Sequence, residues 1–116
     1  MTTGKEWLVD ASGCDAARLG DTAVLKGLFE DLIVALRLNV LGTPQWNTFP
    51  GPGGITGLAL LSESHLTIHT FPEHHFAALN LYTCREREAP DFQALLAEHL
   101  RARSVTVRAL SRESER

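Results

Sequence analysis

Cysteine is scarce in this chain: Cys14 and Cys84 are the only two in 116 residues. Two cysteines cannot build a disulfide framework. No amino-terminal succession of basic, apolar and small residues marks a secretory signal, so cytoplasmic residence is expected. Long apolar runs are missing as well. The longest, within residues 25–38, is interrupted by Glu30, Asp31 and Arg37, which excludes a membrane span. Positive charge is in deficit, with 11 Lys and Arg against 14 Asp and Glu and a net charge of −3. Such a chain lacks the basic surface with which nucleic-acid binders displace counterions, so no nucleic-acid partner is expected. What remains is an ordinary globular balance, 44% hydrophobic and 22% charged. With no linker or low-complexity segment, residues 1–116 read as one domain whose small core would gain from a partner subunit.

The hydrophobic pattern predicts an α+β chain. Trp7, Val9 and Ala11 fall on one side of an extended segment that Gly13 ends. From an N-cap at Asp21, the residues Leu25, Leu28, Phe29, Leu32, Ile33 and Leu36 recur at helical spacing. Residues 39–48 read as an irregular strand, and the breakers of residues 50–54 as a turn. Residues 55–62, 65–70 and 76–84 follow as strands. His65, Thr67 and His69 share one face, and Asn80, Tyr82 and Cys84 share another. Pro90 and Asp91 open a second helix with a stripe of Phe92, Leu95, Leu96 and Leu100, residues 104–110 make a last strand, and the tail from Ser111 is expected to fray. The predicted architecture is a two-layer sandwich: a mainly antiparallel sheet with two helices packed on one face.

Chemistry concentrates between Leu61 and Cys84. The run Glu63-Ser64-His65, then His69-Thr70-Phe71-Pro72-Glu73, then Thr83-Cys84 collects the Ser64 hydroxyl, two imidazoles, carboxylates and a thiol in a short stretch. Removing carbon dioxide from an α-amino acid leaves a carbanion that no ordinary side chain delocalises, so an electrophilic carbonyl is required. A serine can supply one if its hydroxyl attacks the preceding carbonyl, the resulting ester eliminates, and the dehydroalanine is hydrolysed. That route needs a serine held in a turn, a base for its α-proton and donors for an oxyanion. His65, His69, His74 and His75 also offer metal-ligand chemistry, but an adjacent pair such as His74 and His75 diverges in an extended chain, and no metal is expected. Cys14, Trp7 and Trp46 read as core or interface residues.

These motifs resemble the prokaryotic S-adenosylmethionine decarboxylases, pyruvoyl-dependent proenzymes with a signature close to E-S-H-x-x-x-H-T-x-P-E and a later T-C. The likeness runs from about Lys5 to Cys84. It implies self-cleavage between Glu63 and Ser64 into a β chain of residues 1–63 and an α chain of residues 64–116. Ser64 would become the covalent pyruvoyl cofactor. By the same resemblance His69 assists processing, Thr56 stands at the place of a serine that holds the processing intermediate, and Cys84 is the proton donor. Glu73 would contact the substrate ribose, with Phe71 and Phe49 supplying aromatic faces for adenine and the sulfonium. The implied activity is decarboxylation of S-adenosylmethionine for polyamine synthesis by a homodimer of αβ units. Besides Thr56 for a serine, three positions depart from the family pattern: Phe71 for a tryptophan, Asn80 for an aspartate, and Arg85 where glycine usually follows the cysteine. A pyruvoyl decarboxylase of ornithine or arginine, and an unprocessed regulatory homologue, are the competing expectations.

Overall fold

The computed structural model describes residues 2–85 and 87–115. Among them, six strands pair antiparallel in one sheet of order β2-β3-β4-β5-β1-β6. The strands are β1 (Thr2–Ser12), β2 (Gln45–Thr48), β3 (Ile55–Leu61), β4 (Ser64–Phe71), β5 (Phe76–Thr83) and β6 (Ser104–Glu113). Helices α1 (Ala16–Leu19) and α2 (Thr22–Leu36) lie between β1 and β2, and α3 (Phe92–Leu100) precedes β6. A single 3-10 turn, Pro72–His74, joins β4 to β5.

Period two in the strands and period 3.6 in the helices meet in one core. Trp7, Val9, Ala11, Ile55, Ala59, Leu61, Leu66, Ile68, Leu79 and Leu81 alternate toward a helical layer that offers Leu25, Leu28, Phe29, Leu32, Phe92, Leu96 and Leu100. Trp7 meets the Phe92 ring at 6.4 Å, and Phe29 meets the Trp46 ring at 4.8 Å. Both long helices therefore cover the same side, as the pattern predicts. Asp21 caps α2 through a 3.0 Å bond from the Ala23 N–H, and Asp91 caps α3 through a 3.0 Å bond from Ala94. Among the described residues, no helix covers the opposite sheet face. That face carries His65, Thr67, His69, Asn80 and Tyr82, together with Leu58, Leu60 and Leu110, which are exposed.

Several element bounds differ from the sequence pattern, among them β3, which ends at Leu61 rather than Ser62, and β4, which opens at Ser64 rather than His65. The first strand begins at Thr2 and the last runs to Glu113, because Thr2 pairs with Glu113 and Gly4 with Arg112. The tail expected to fray from Ser111 is thus ladder up to that point. The irregular strand of residues 39–48 reduces to Gln45–Thr48, with Val40 making an isolated bridge to Leu61. Helix α1 was not anticipated; Asp15 nucleates it by accepting from the Ala17 and Arg18 N–H groups. Finally, β5 stops at Thr83, so Cys84 lies one residue beyond the ladder.

Candidate active site

Leu61 pairs with Ser64, so Ser62 and Glu63 alone form the loop between β3 and β4, and Ser64 opens β4. The expected cleavage point is therefore at a hairpin tip. Each residue there is fastened differently. The Ser62 N–H donates to the Asn39 carbonyl at 2.9 Å, Arg85 Nε donates to Glu63 Oε2 at 2.7 Å, and Ser64 sits across from Thr83. Among the described residues, the Ser64 hydroxyl meets no hydrogen-bond partner, which leaves its lone pairs available for attack on a neighbouring carbonyl. Cys84 follows Thr83 directly and is exposed, so the thiol and the serine share one end of the sheet. Cys14 differs sharply: it is buried in the core, and that burial pushes its thiol up to about 11.

The other end of β4 holds a second group. Thr56 lies opposite His69 in the β3–β4 ladder, with Oγ1 3.2 Å from Nδ1. These two residues, together with Phe49, Phe71 and Glu73, line a cleft of about 310 Å³. Its walls are set from behind by Thr70, a buried polar residue. The Thr70 hydroxyl donates to the Leu19 carbonyl at 2.7 Å and accepts from the Ile55 N–H at 2.9 Å, tying α1, β3 and β4 together. Gly54 is required beside it, since a Cβ there would fall 2.6 Å from the Thr70 carbonyl oxygen. The Phe49 N–H donates to the Gly54 carbonyl at 2.7 Å, closing the turn of residues 50–53 and bringing the Phe49 ring to the cleft. The sequence pattern marked neither Thr70 nor Gly54 as part of the site. A threonine at a core-facing position of β4 was the available signal.

Five steps along one strand separate Ser64 from His69, which at the usual rise is about 16 Å. The chain thus presents two groups, Ser64 with Cys84 and Thr56 with His69 and Glu73, at opposite ends of β4.

Between them, on the open face, runs a polar network. Asn80 Nδ2 donates to Glu6 Oε2 at 2.9 Å, and Arg112 Nη1 donates to Glu6 Oε1 at 3.0 Å. Against the opposing effect of burial, the Asn80 amide and then Arg112 hold the Glu6 carboxyl below its ordinary value of 4.5. An ionised carboxylate only accepts, so Asn80 turns its amide nitrogen to Glu6 and its Oδ1 to His65. The 3.1 Å contact between His65 Nε2 and Asn80 Oδ1 is then a bond donated by the imidazole. His65 also stacks on Tyr82, with centroids 5.9 Å apart, and the Tyr82 hydroxyl donates to the Thr3 carbonyl at 3.0 Å.

Three of the four histidines weighed as metal ligands have other contacts. His65 and His69 are engaged by Asn80 and Thr56, and His75 Nδ1 lies 3.0 Å from the Cys14 carbonyl. Among the described residues, imidazole and carboxylate groups converge instead at Asp31, Glu98 and His99 on the helical layer. There His99 Nε2 lies 2.7 Å from Asp31 Oδ2.

Comparison with known proteins bears on this arrangement. A family model described as S-adenosylmethionine decarboxylase matches residues 5–113. The chain is 36% identical over 112 residues to S-adenosylmethionine decarboxylase proenzyme 2 of Halalkalibacterium halodurans, covering 96% of this chain and 87% of that protein. It is 37% identical over 112 residues to the S-adenosylmethionine decarboxylase proenzyme of Parasynechococcus marenigrum, covering 96% and 86%. The crystal structure of the adenosylmethionine decarboxylase from Aquifex aeolicus superposes with a TM-score of 0.79 at 27% identity, covering 99% of this chain and 98% of that one. Family model, near full-length sequence similarity and fold agree, and the chain belongs to the S-adenosylmethionine decarboxylase family.

Proposed function

We propose that this chain is a proenzyme that cleaves itself between Glu63 and Ser64 and then decarboxylates S-adenosylmethionine, giving the aminopropyl donor of polyamine synthesis. The observation that carries this reading is the cleft that gathers Phe49, Thr56, His69, Phe71 and Glu73. Two aromatic faces suit a purine ring and a sulfonium, and the carboxylate suits a pair of sugar hydroxyls. A volume of about 310 Å³ lies within the usual range for small-molecule sites.

Processing needs only the chain's own atoms and water. The Ser64 hydroxyl adds to the Glu63 carbonyl, and expulsion of the Ser64 nitrogen leaves an ester. Loss of the Ser64 α-proton then releases the Glu63 carboxylate, and hydrolysis of the resulting dehydroalanine releases ammonia. The products are a β chain of residues 1–63 and an α chain of residues 64–116 that begins with a pyruvoyl group. The unpartnered Ser64 hydroxyl at an accessible hairpin tip, with Cys84 beside it, fits that group. Once formed, it supplies the electron sink for the pair left behind by carbon dioxide. Cys84 returns a proton to the substrate carbon, Glu73 accepts from the ribose, and Phe71 and Phe49 hold the base. His69, steadied by Thr56, moves the proton that elimination requires.

His69 serves the Ser64 of a second copy in this reading. The strand separation of about 16 Å prevents the two from meeting within one chain. A two-fold arrangement through the open sheet face lays the Ser64 end of one β4 over the His69 end of the other. Exposed Leu58, Leu60 and Phe71 on that face support an apolar contact. Cytoplasmic residence is part of the reading, and no helix among the described residues is long and apolar enough to cross a membrane. The test is carbon dioxide release by the cleaved protein offered S-adenosylmethionine, ornithine or arginine. Release from S-adenosylmethionine alone is expected, and release from a diamino acid alone contradicts the substrate.

A further inference from the structure

We infer that Arg85 is a positioning residue for self-cleavage: it clamps the scissile hairpin to the Cys84 segment and neutralises the Glu63 carboxylate beside the bond that breaks. This inference rests on the cleavage reading above and adds a residue to it.

Three observations converge on Arg85. Its Nε donates to Glu63 Oε2 at 2.7 Å, a charge-assisted bond to the side chain of the very residue whose carbonyl must be attacked. Its backbone is held in turn, because the buried Thr83 hydroxyl donates to the Arg85 carbonyl at 2.9 Å. Thr83 is also the ladder partner of Ser64. The loop of a closed circuit therefore runs from Ser64 across to Thr83, on to Arg85, and back to Glu63. Cys84 lies within it. The hairpin has few other fastenings. Two-residue hairpin loops ordinarily support themselves with left-handed residues. Among the described residues, those other than glycine in the left-handed region are Arg37, His75 and Arg101, so neither Ser62 nor Glu63 is one of them. Outside contacts, from Asn39 to Ser62 and from Arg85 to Glu63, take over that task.

The charge is as important as the contact. Attack by the Ser64 hydroxyl places negative charge on the Glu63 carbonyl oxygen, and bond breakage adds a second carboxylate to the same residue. An unpaired Glu63 side chain opposes both changes. With the guanidinium in place, the side-chain charge is cancelled before the reaction begins.

Charge cancellation predicts a specific pattern, read by intact-mass time courses on freshly purified precursor of wild type, Arg85→Ala, Arg85→Lys, Glu63→Gln and the Glu63→Gln/Arg85→Ala double variant. Arg85→Ala slows cleavage about fivefold, the effect of an exposed ion pair at the upper end of its usual strength, and lowers the melting temperature by at most a few degrees, leaving the chain folded. Arg85→Lys retains most of the rate. The double variant cleaves faster than Arg85→Ala alone, because removing the unpaired carboxylate relieves the repulsion. The gap between wild type and Arg85→Ala narrows in about 1 M salt, where the screening length is about 3 Å. Equal rates for wild type and Arg85→Ala overturn the inference, as does a double variant no faster than Arg85→Ala. A wild-type chain that never splits overturns the cleavage reading itself and this inference with it, an outcome distinct from the other two.

Discussion

The two ends of β4 are built for different work. At the Ser64 end, a hairpin tip and the exposed Cys84 stand close to solvent, fastened by backbone pairing and the Arg85–Glu63 ion pair. At the His69 end, a cleft is walled by Phe49, Phe71 and Glu73 and braced from the core by the buried Thr70 hydroxyl. One end carries the hydroxyl and the thiol, and the other the cleft lined by Phe49, Phe71 and Glu73. In the proposed reading each supplies what the other lacks, and a second copy of the chain, rather than a loop closure within one, would complete the site.

Substitutions at the two ends should fail in different ways. The largest effect belongs to Ser64→Ala, which removes the attacking hydroxyl: mass spectrometry should show only full-length chain, with no decarboxylation. Cys84→Ala tests the same end after cleavage. The precursor should split normally while turnover on S-adenosylmethionine falls about 10²- to 10³-fold, within the range for loss of a general acid. Impaired splitting would instead place Cys84 in the maturation step. At the cleft end, Phe71→Ala and Glu73→Gln should each raise KM for S-adenosylmethionine about tenfold, the scale of one lost stacking or charged hydrogen-bond contact. An unchanged KM would remove those residues from the substrate.

The smallest effect tests the polar network on the open face, where Asn80 bridges His65 and Glu6. Asn80→Ala deletes the bond that most lowers the Glu6 carboxyl, at a cost of about 1 kcal/mol near neutral pH. A carboxyl held below its unfolded value stabilises the fold above that value and stops doing so as pH falls through the folded one. The difference in melting temperature between wild type and Asn80→Ala should therefore be full above the ordinary value of 4.5 and shrink below it. A difference that grows on acidification would assign the effect to another group.

Much of this was legible in the sequence. Helix α2 announces itself through Leu25, Leu28, Phe29 and Leu32 at helical spacing after Asp21, and His65, Thr67 and His69 share a strand face as alternation requires. The residues expected at the substrate, Phe49, Phe71 and Glu73, do line one cleft with Thr56 and His69. What the letters concealed was distance. Ser64 and His69 are neighbours in sequence, and only the extended geometry of β4 sets them at opposite ends. Long-range pairing was hidden too, since the β6 extension to Glu113 depends on partners at Thr2 and Gly4 near the other terminus. The Thr70 brace depends on Leu19, far away in the chain. Neither has a local signature. Asn80 and Arg85, visible in the sequence only as departures from a pattern, acquire meaning from their contacts with His65, Glu6 and Glu63.

The most direct test of a site shared between two copies is subunit complementation. Ser64→Ala chains and His69→Ala chains, distinguishable by mass, would be co-expressed and the products weighed. A shared site predicts that the His69→Ala chain, nearly uncleaved alone, splits between Glu63 and Ser64 when paired with Ser64→Ala, whose intact His69 reaches across. If the mixture remains as unsplit as each variant alone, while wild type splits, the two ends of β4 do not complete one another across a dimer.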